Sequence, residues 1–166
     1  MGMGIQTVRF LVCGMAIAAL AGCGSGSSTP TSAPAPSLTL TAAAVLVGGQ
    51  TVSGMTLPQG HGQGMATRFE ARMGMNGTPL PGAQMWMQYQ RPGGMMGGSG
   101  TVPLYDDGTH GDRTPGDGLY CLEDAVGTYG CHAAGSPMGQ YHYEFWGSGS
   151  GYETNHQTVT VTIAAP

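Results

Sequence analysis

The chain predicts an all-β fold, an antiparallel sandwich of about seven strands. Apolar residues between Leu38 and Pro166 come in short alternating runs, broken by Gly, Pro, Asn and Asp. No run in that stretch repeats at the helical period. Glycine is abundant at 31 of 166 residues, well above the usual share of about 7%, yet shows no three-residue period that would make a collagen-like chain.

Leu38-Thr39-Leu40-Thr41 opens the sheet. Thr51 to Leu57 holds a further strand, followed by a Gly60-His61-Gly62-Gln63-Gly64 loop. Arg68 to Met73 alternates, with Phe69, Ala71 and Met73 on one face. Asn76-Gly77 and Pro79-Leu80-Pro81-Gly82 supply dense turn chemistry. From Ala83 to Tyr89 the residues Met85, Met87 and Tyr89 point one way; Gln84, Trp86 and Gln88 point the other. Val102 to Tyr105 and Leu119 to Leu122 flank an Asp/Gly loop. Gln140 to Trp146 sets Tyr141, Tyr143 and Phe145 against His142, Glu144 and Trp146. Thr158 to Ile163 closes the domain with Val159, Val161 and Ile163 inward.

Charge narrows the function. Charged residues make up 8% of the chain, with five arginines, no lysine and a net charge of −4. A nucleic-acid binder needs a basic patch, so that class is excluded. Low charge also sets the chain apart from highly charged disordered proteins.

The N-terminus reads as an address. Phe10 to Leu20 is an apolar run of 11 residues after a single positive charge at Arg9. A membrane-spanning helix needs about 20 residues, so the run fits a signal-peptide core. It ends in Leu20-Ala21-Gly22-Cys23, which resembles the lipobox of bacterial lipoproteins. The resemblance implies cleavage after residue 22, diacylation of the Cys23 sulfur and a membrane anchor in the cell envelope. Two or three acyl chains hold firmly where one holds marginally. In such lipoproteins Asp after the cysteine retains the protein at the inner membrane; Gly24 there favours the outer membrane of a Gram-negative cell. An ordinary secretory peptide is the alternative. Residues 23–37 (CGSGSSTPTSAPAPS) then form a flexible linker, leaving 38–166 as the folded domain.

The densest chemistry lies between Tyr105 and Tyr120. Six of the nine acids fall between Asp106 and Asp124. Asp106, Asp107, Asp112 and Asp117, with glycines beside the last three, suit a hard cation such as Ca²⁺, which takes 6–8 oxygens. The spacing is not that of an EF-hand. The alternative is that the Asp-Gly pairs only build turns, and Arg113 is then available to neutralise part of the cluster.

Tyr105-Asp106-Asp107-Gly108-Thr109-x-Gly111-Asp112, continuing to Gly116-Asp117-Gly118-x-Tyr120, also resembles the signature of bacterial extracellular immunoglobulin-like modules. These include the choice-of-anchor domains and modules appended to secreted enzymes. Gly77 to Ala83 is similar to their turn before a central strand. The resemblance implies an immunoglobulin-like sandwich that is non-catalytic and works by binding or scaffolding.

Exported domains oxidise paired cysteines, so Cys121 and Cys131 are expected to form a disulfide, with a thiolate metal site as the alternative. Nine methionines follow Cys23. Thioethers suit Cu(I), and His61, Met65, Met95 and Met96 are the ligands for a second reading, a periplasmic copper-binding protein. Met also fills cores where Leu and Ile are few. Trp86 and Trp146 face outward on their strands, to stack on sugar rings or meet a protein partner, unless they are half-buried sandwich aromatics. No nucleophile elbow, His-Glu-x-x-His or phosphate-binding loop occurs, so the chain is not read as an enzyme.

Overall fold

The computed structural model describes residues 34–80, 82–93, 99–132 and 135–166; Cys23, Met95 and Met96 lie outside them. The described residues form ten strands: β1 Leu38–Val47, β2 Gln50–Thr51, β3 Thr56–Pro58, β4 Thr67–Met75, β5 Gln84–Gln90, β6 Ser99–Leu104, β7 Leu119–Asp124, β8 Gly139–Gly149, β9 Tyr152–Glu153 and β10 Gln157–Ala164. The seven longer ones are those the alternation predicts. β2, β3 and β9 add two or three residues each.

Two sheets face each other. One has the order β2-β1-β4-β7, the other β3-β10-β8-β5-β6, with β9 paired to β8. The chain crosses between sheets from β2 to β3, β3 to β4, β4 to β5, β6 to β7 and β7 to β8, so each sheet is assembled from strands distant in sequence. The N-terminal part of the domain contributes to both sheets: β1 pairs antiparallel with β4 in one, and β3 runs parallel to β10 at the edge of the other.

Period-two alternation builds the core. Tyr141, Tyr143 and Phe145 of β8 are fully buried, as are Phe69 of β4, Met87 of β5 and Val161 of β10. Burying such a side chain contributes about 1.5–3 kcal/mol. Phe69 and Tyr143 meet across the two sheets, ring centroids 5.0 Å apart at 48°, a tilted geometry that aromatic pairs favour. Strand β1 departs from simple alternation. Its register on β4 shifts between Leu40 and Ala42, and this bulge lets Leu40 and Val45, five positions apart, both point inward. The strand therefore runs well past Thr41.

The expected disulfide does not form. Cys121 and Cys131 are both free and buried. Tyr120 and Leu122 of β7 belong to the core, as does Cys131, so alternation turns Cys121 to the opposite face of the sheet, beside Arg68, Glu70 and Asp112. Thiols on opposite faces of one sheet cannot be bridged without moving backbone. Burial also pushes the Cys121 thiol up to about 12 and raises that of Cys131, which makes both poor nucleophiles and poor metal ligands.

Candidate functional site

The Asp loop leaves β6 and returns to β7 through a closed neck. Tyr105 and Cys121 exchange backbone hydrogen bonds of 2.9 and 2.8 Å. Inside the loop Asp106 gathers three consecutive N–H groups. Its Oδ1 accepts from Gly116 at 2.8 Å and Asp117 at 3.2 Å, and its Oδ2 from Gly118 at 3.0 Å. Gly118 has φ of +79°, and a Cβ there would come within 2.8 Å of the Met73 carbonyl. Only glycine holds that backbone in place.

Asp112 is buried and ties the other arm, accepting from Gly108 N–H at 2.7 Å and Thr114 N–H at 3.1 Å. Asp117 accepts from the Leu119 N–H at 2.8 Å. These bonds bring one oxygen each of Asp106, Asp112 and Asp117 within 4.8 Å of one another. Such a trio could hold a hard cation, because each of the three carboxylates has at least one oxygen that accepts no more than one hydrogen bond and so keeps a lone pair.

Electrostatics set the loop's carboxylates apart. Burial raises the Asp106 pKa above its ordinary value. The N–H groups of Gly118, Gly116 and Asp117 pull it down, and the Asp112 charge pushes it up again. Asp107 does not join the trio. It faces solvent, accepts from the N–H and hydroxyl of Thr109 in a local turn, and is held below the ordinary value chiefly by that hydroxyl. Arg72, rather than Arg113, reaches the cluster. It donates to the Asp117 carbonyl at 3.0 Å and lies 3.9 Å from its carboxylate. The β4 register opposite Leu119 puts Arg72 there, which spacing along the chain does not reveal.

A second aspartate, which clustering along the sequence does not single out, organises a neighbouring loop. Asp124, buried at the end of β7, accepts N–H bonds from Thr128, Tyr129 and Gly130 at 2.9, 2.7 and 2.9 Å. Arg91 donates to the carbonyls of Gly127, Thr128 and Gly130 from across the core. His132 is buried beside this loop, its Nδ1 against the Thr67 hydroxyl. Burial lowers its pKa, against the pull of the Asp124 charge and a backbone bond to Met65.

The soft ligands divide. Met73, Met85 and Met87 are buried in the core. His61 and Met65 share the turn between β3 and β4, His61 partly buried and Met65 exposed.

The outer face of the larger sheet carries the remaining chemistry. Trp86 and Trp146 pair directly across β5 and β8, and their rings stack at 6.3 Å and 24°. His156 covers the other side of Trp146 at 5.4 Å and 10°. The His156 ring bonds Glu144 through Nδ1 at 2.9 Å and Glu153 through Nε2 at 3.3 Å, and these bonds raise its pKa. A recess of about 530 Å³ opens over Gln88, Gln90, His142 and Glu144. A cleft of about 420 Å³ lies where Trp86 approaches Tyr105 and Asp106 of the Asp loop. Comparison with protein-family models, with curated proteins and with solved structures returns no match, so the site stands on its own geometry.

Proposed function

We propose that the chain is a non-catalytic lipoprotein of the cell envelope that presents one immunoglobulin-like domain for binding or scaffolding. Acyl chains on Cys23 anchor it, the linker to residue 37 carries the domain clear of the bilayer, and the Asp loop takes a structural Ca²⁺. The observation that carries the reading is the outer face of the larger sheet. There Trp86, Trp146, Gln88, Gln90 and Glu144 are partly or fully exposed on one rigid surface, and a preformed face of this kind binds at little ordering cost. The Asp106, Asp112 and Asp117 trio supports the calcium part, since a divalent cation relieves the repulsion that their approach creates.

Expression of the whole chain in a Gram-negative host with radiolabelled palmitate tests the anchor. Label in the membrane fraction, lost in Cys23→Ser, is expected. A soluble, unlabelled product of the unaltered sequence would overturn the envelope reading.

A further inference from the structure

Strand register turns the outer face of the larger sheet into a grid. One row runs Thr160, His142, Gln90, Ser99 across β10, β8, β5 and β6; the next runs Thr158, Glu144, Gln88, Thr101. Trp146 and Trp86 then form a wall along one side, ending at Pro103. Alternation forces this arrangement, because the intervening residues Tyr143, Phe145 and Met87 are locked in the core. With neighbouring strands about 4.8 Å apart, the grid is on the order of 14 Å wide.

We infer that this face binds a neutral glycan chain, with a sugar ring against Trp86 and hydroxyls on the amides and carboxylate of Gln88, Gln90 and Glu144. The inference deepens the binding-module reading and rests on it. The chemistry selects the occupant. Neither polar row contains Lys, Arg or an aliphatic side chain larger than Thr. A phosphate-bearing or acidic ligand therefore meets the Glu144 carboxylate and no Lys or Arg in these rows. A protein partner would need an apolar centre, which the rows do not offer. A pyranose has what they ask for: C–H faces for an indole, and vicinal hydroxyls that both give and take hydrogen bonds from an amide.

Among the described residues the Gln88 and Gln90 amides make no hydrogen bond, so both are available to a ligand without breaking one. Glu144 is held by His156 and Trp146 is flanked on both sides. The wall and its adjoining carboxylate are thus set in position before a ligand arrives, which limits the entropy cost of binding.

Calorimetric titration of the full chain in detergent micelles with cellohexaose, chitohexaose and maltohexaose tests this. At least one of the three is expected to bind and to change tryptophan fluorescence. Trp86→Ala should weaken it about tenfold or more, and the double change Gln88→Ala/Gln90→Ala about fivefold or more. The double variant alters only exposed side chains, so it reads binding even where Trp86→Ala disturbs folding. No binding by any of the three up to about 10 mM, or binding that both variants leave intact, overturns the assignment. In that event palmitate labelling at Cys23 still decides the envelope reading separately.

Discussion

Two loops of this sandwich are built by the same device and end in different states. Asp106 and Asp124 each draw three consecutive backbone N–H groups onto one carboxylate. At Asp124 one carboxylate shares its loop with one guanidinium, for Arg91 sits on the carbonyls of that loop, and among the described residues no acidic cluster includes Asp124. At Asp106 two more carboxylates converge, and Arg72 stands off at 3.9 Å from only one of them. Backbone N–H groups suffice to shape a loop around one buried aspartate. They do not neutralise three.

The largest effect expected is at the Asp124 loop. Asp124→Ala strands three N–H groups, that of Gly130 buried and those of Thr128 and Tyr129 part-buried, and bonds to a charged acceptor are worth about 1.5–3 kcal/mol each. A loss of about 3–5 kcal/mol is expected in urea unfolding, unchanged by Ca²⁺. Equal loss with Asp106→Ala in calcium-free buffer would erase the distinction between the loops.

Next comes pH, where the two loops should respond with opposite sign. The raised pKa of Asp106 means the folded chain holds that proton more tightly than the unfolded chain, which titrates near 3.8. Its contribution is full below 3.8 and is lost as pH rises through the folded-state value. His132, beside Asp124, has a lowered pKa against an ordinary 6.5. Its contribution is full above 6.5 and is lost as pH falls through the folded value. Urea midpoints from pH 3 to 8, with Asp106→Asn and His132→Gln removing one arm each, separate the two. If Asp106→Asn leaves the acid limb untouched, burial of that carboxylate does not govern the loop's response to pH.

A smaller effect is expected from the thiols. Alkylation followed by mass spectrometry should label both Cys121 and Cys131 in denaturant without reductant, and neither in the folded chain. Labelling that requires a reductant would restore the disulfide. Smallest of all is Asp107→Ala, which leaves Tm within about 2 °C because its bonds are local and exposed.

The fold was legible where alternation is unbroken. Tyr141, Tyr143 and Phe145 point inward along β8 as read, and Met85 and Met87 fill core. Reading failed where the period slips: the bulge after Leu40 hides the second half of β1 among Ala42 to Ala44. The disulfide expectation failed for a reason present in the chain, since Tyr120 and Leu122 inward already turn Cys121 outward. The Asp loop announced itself by clustering. Asp124 did not, because one aspartate followed by Gly127, Thr128 and Gly130 resembles any turn until the three N–H groups are seen converging. Arg72 and the two polar rows of the outer face depend on register between distant strands, which local spacing does not encode.

The most direct measurement is a Ca²⁺ titration of the full chain in detergent, following heat and Tm together, beside the double variant Asp112→Asn/Asp117→Asn. One bound ion is expected, with Tm rising by about 8 °C when Ca²⁺ reaches about a hundred times Kd, and both signals vanishing in the variant. A Tm that EDTA and Ca²⁺ leave equal, or a rise that survives in the variant, would contradict the account of the Asp106 loop.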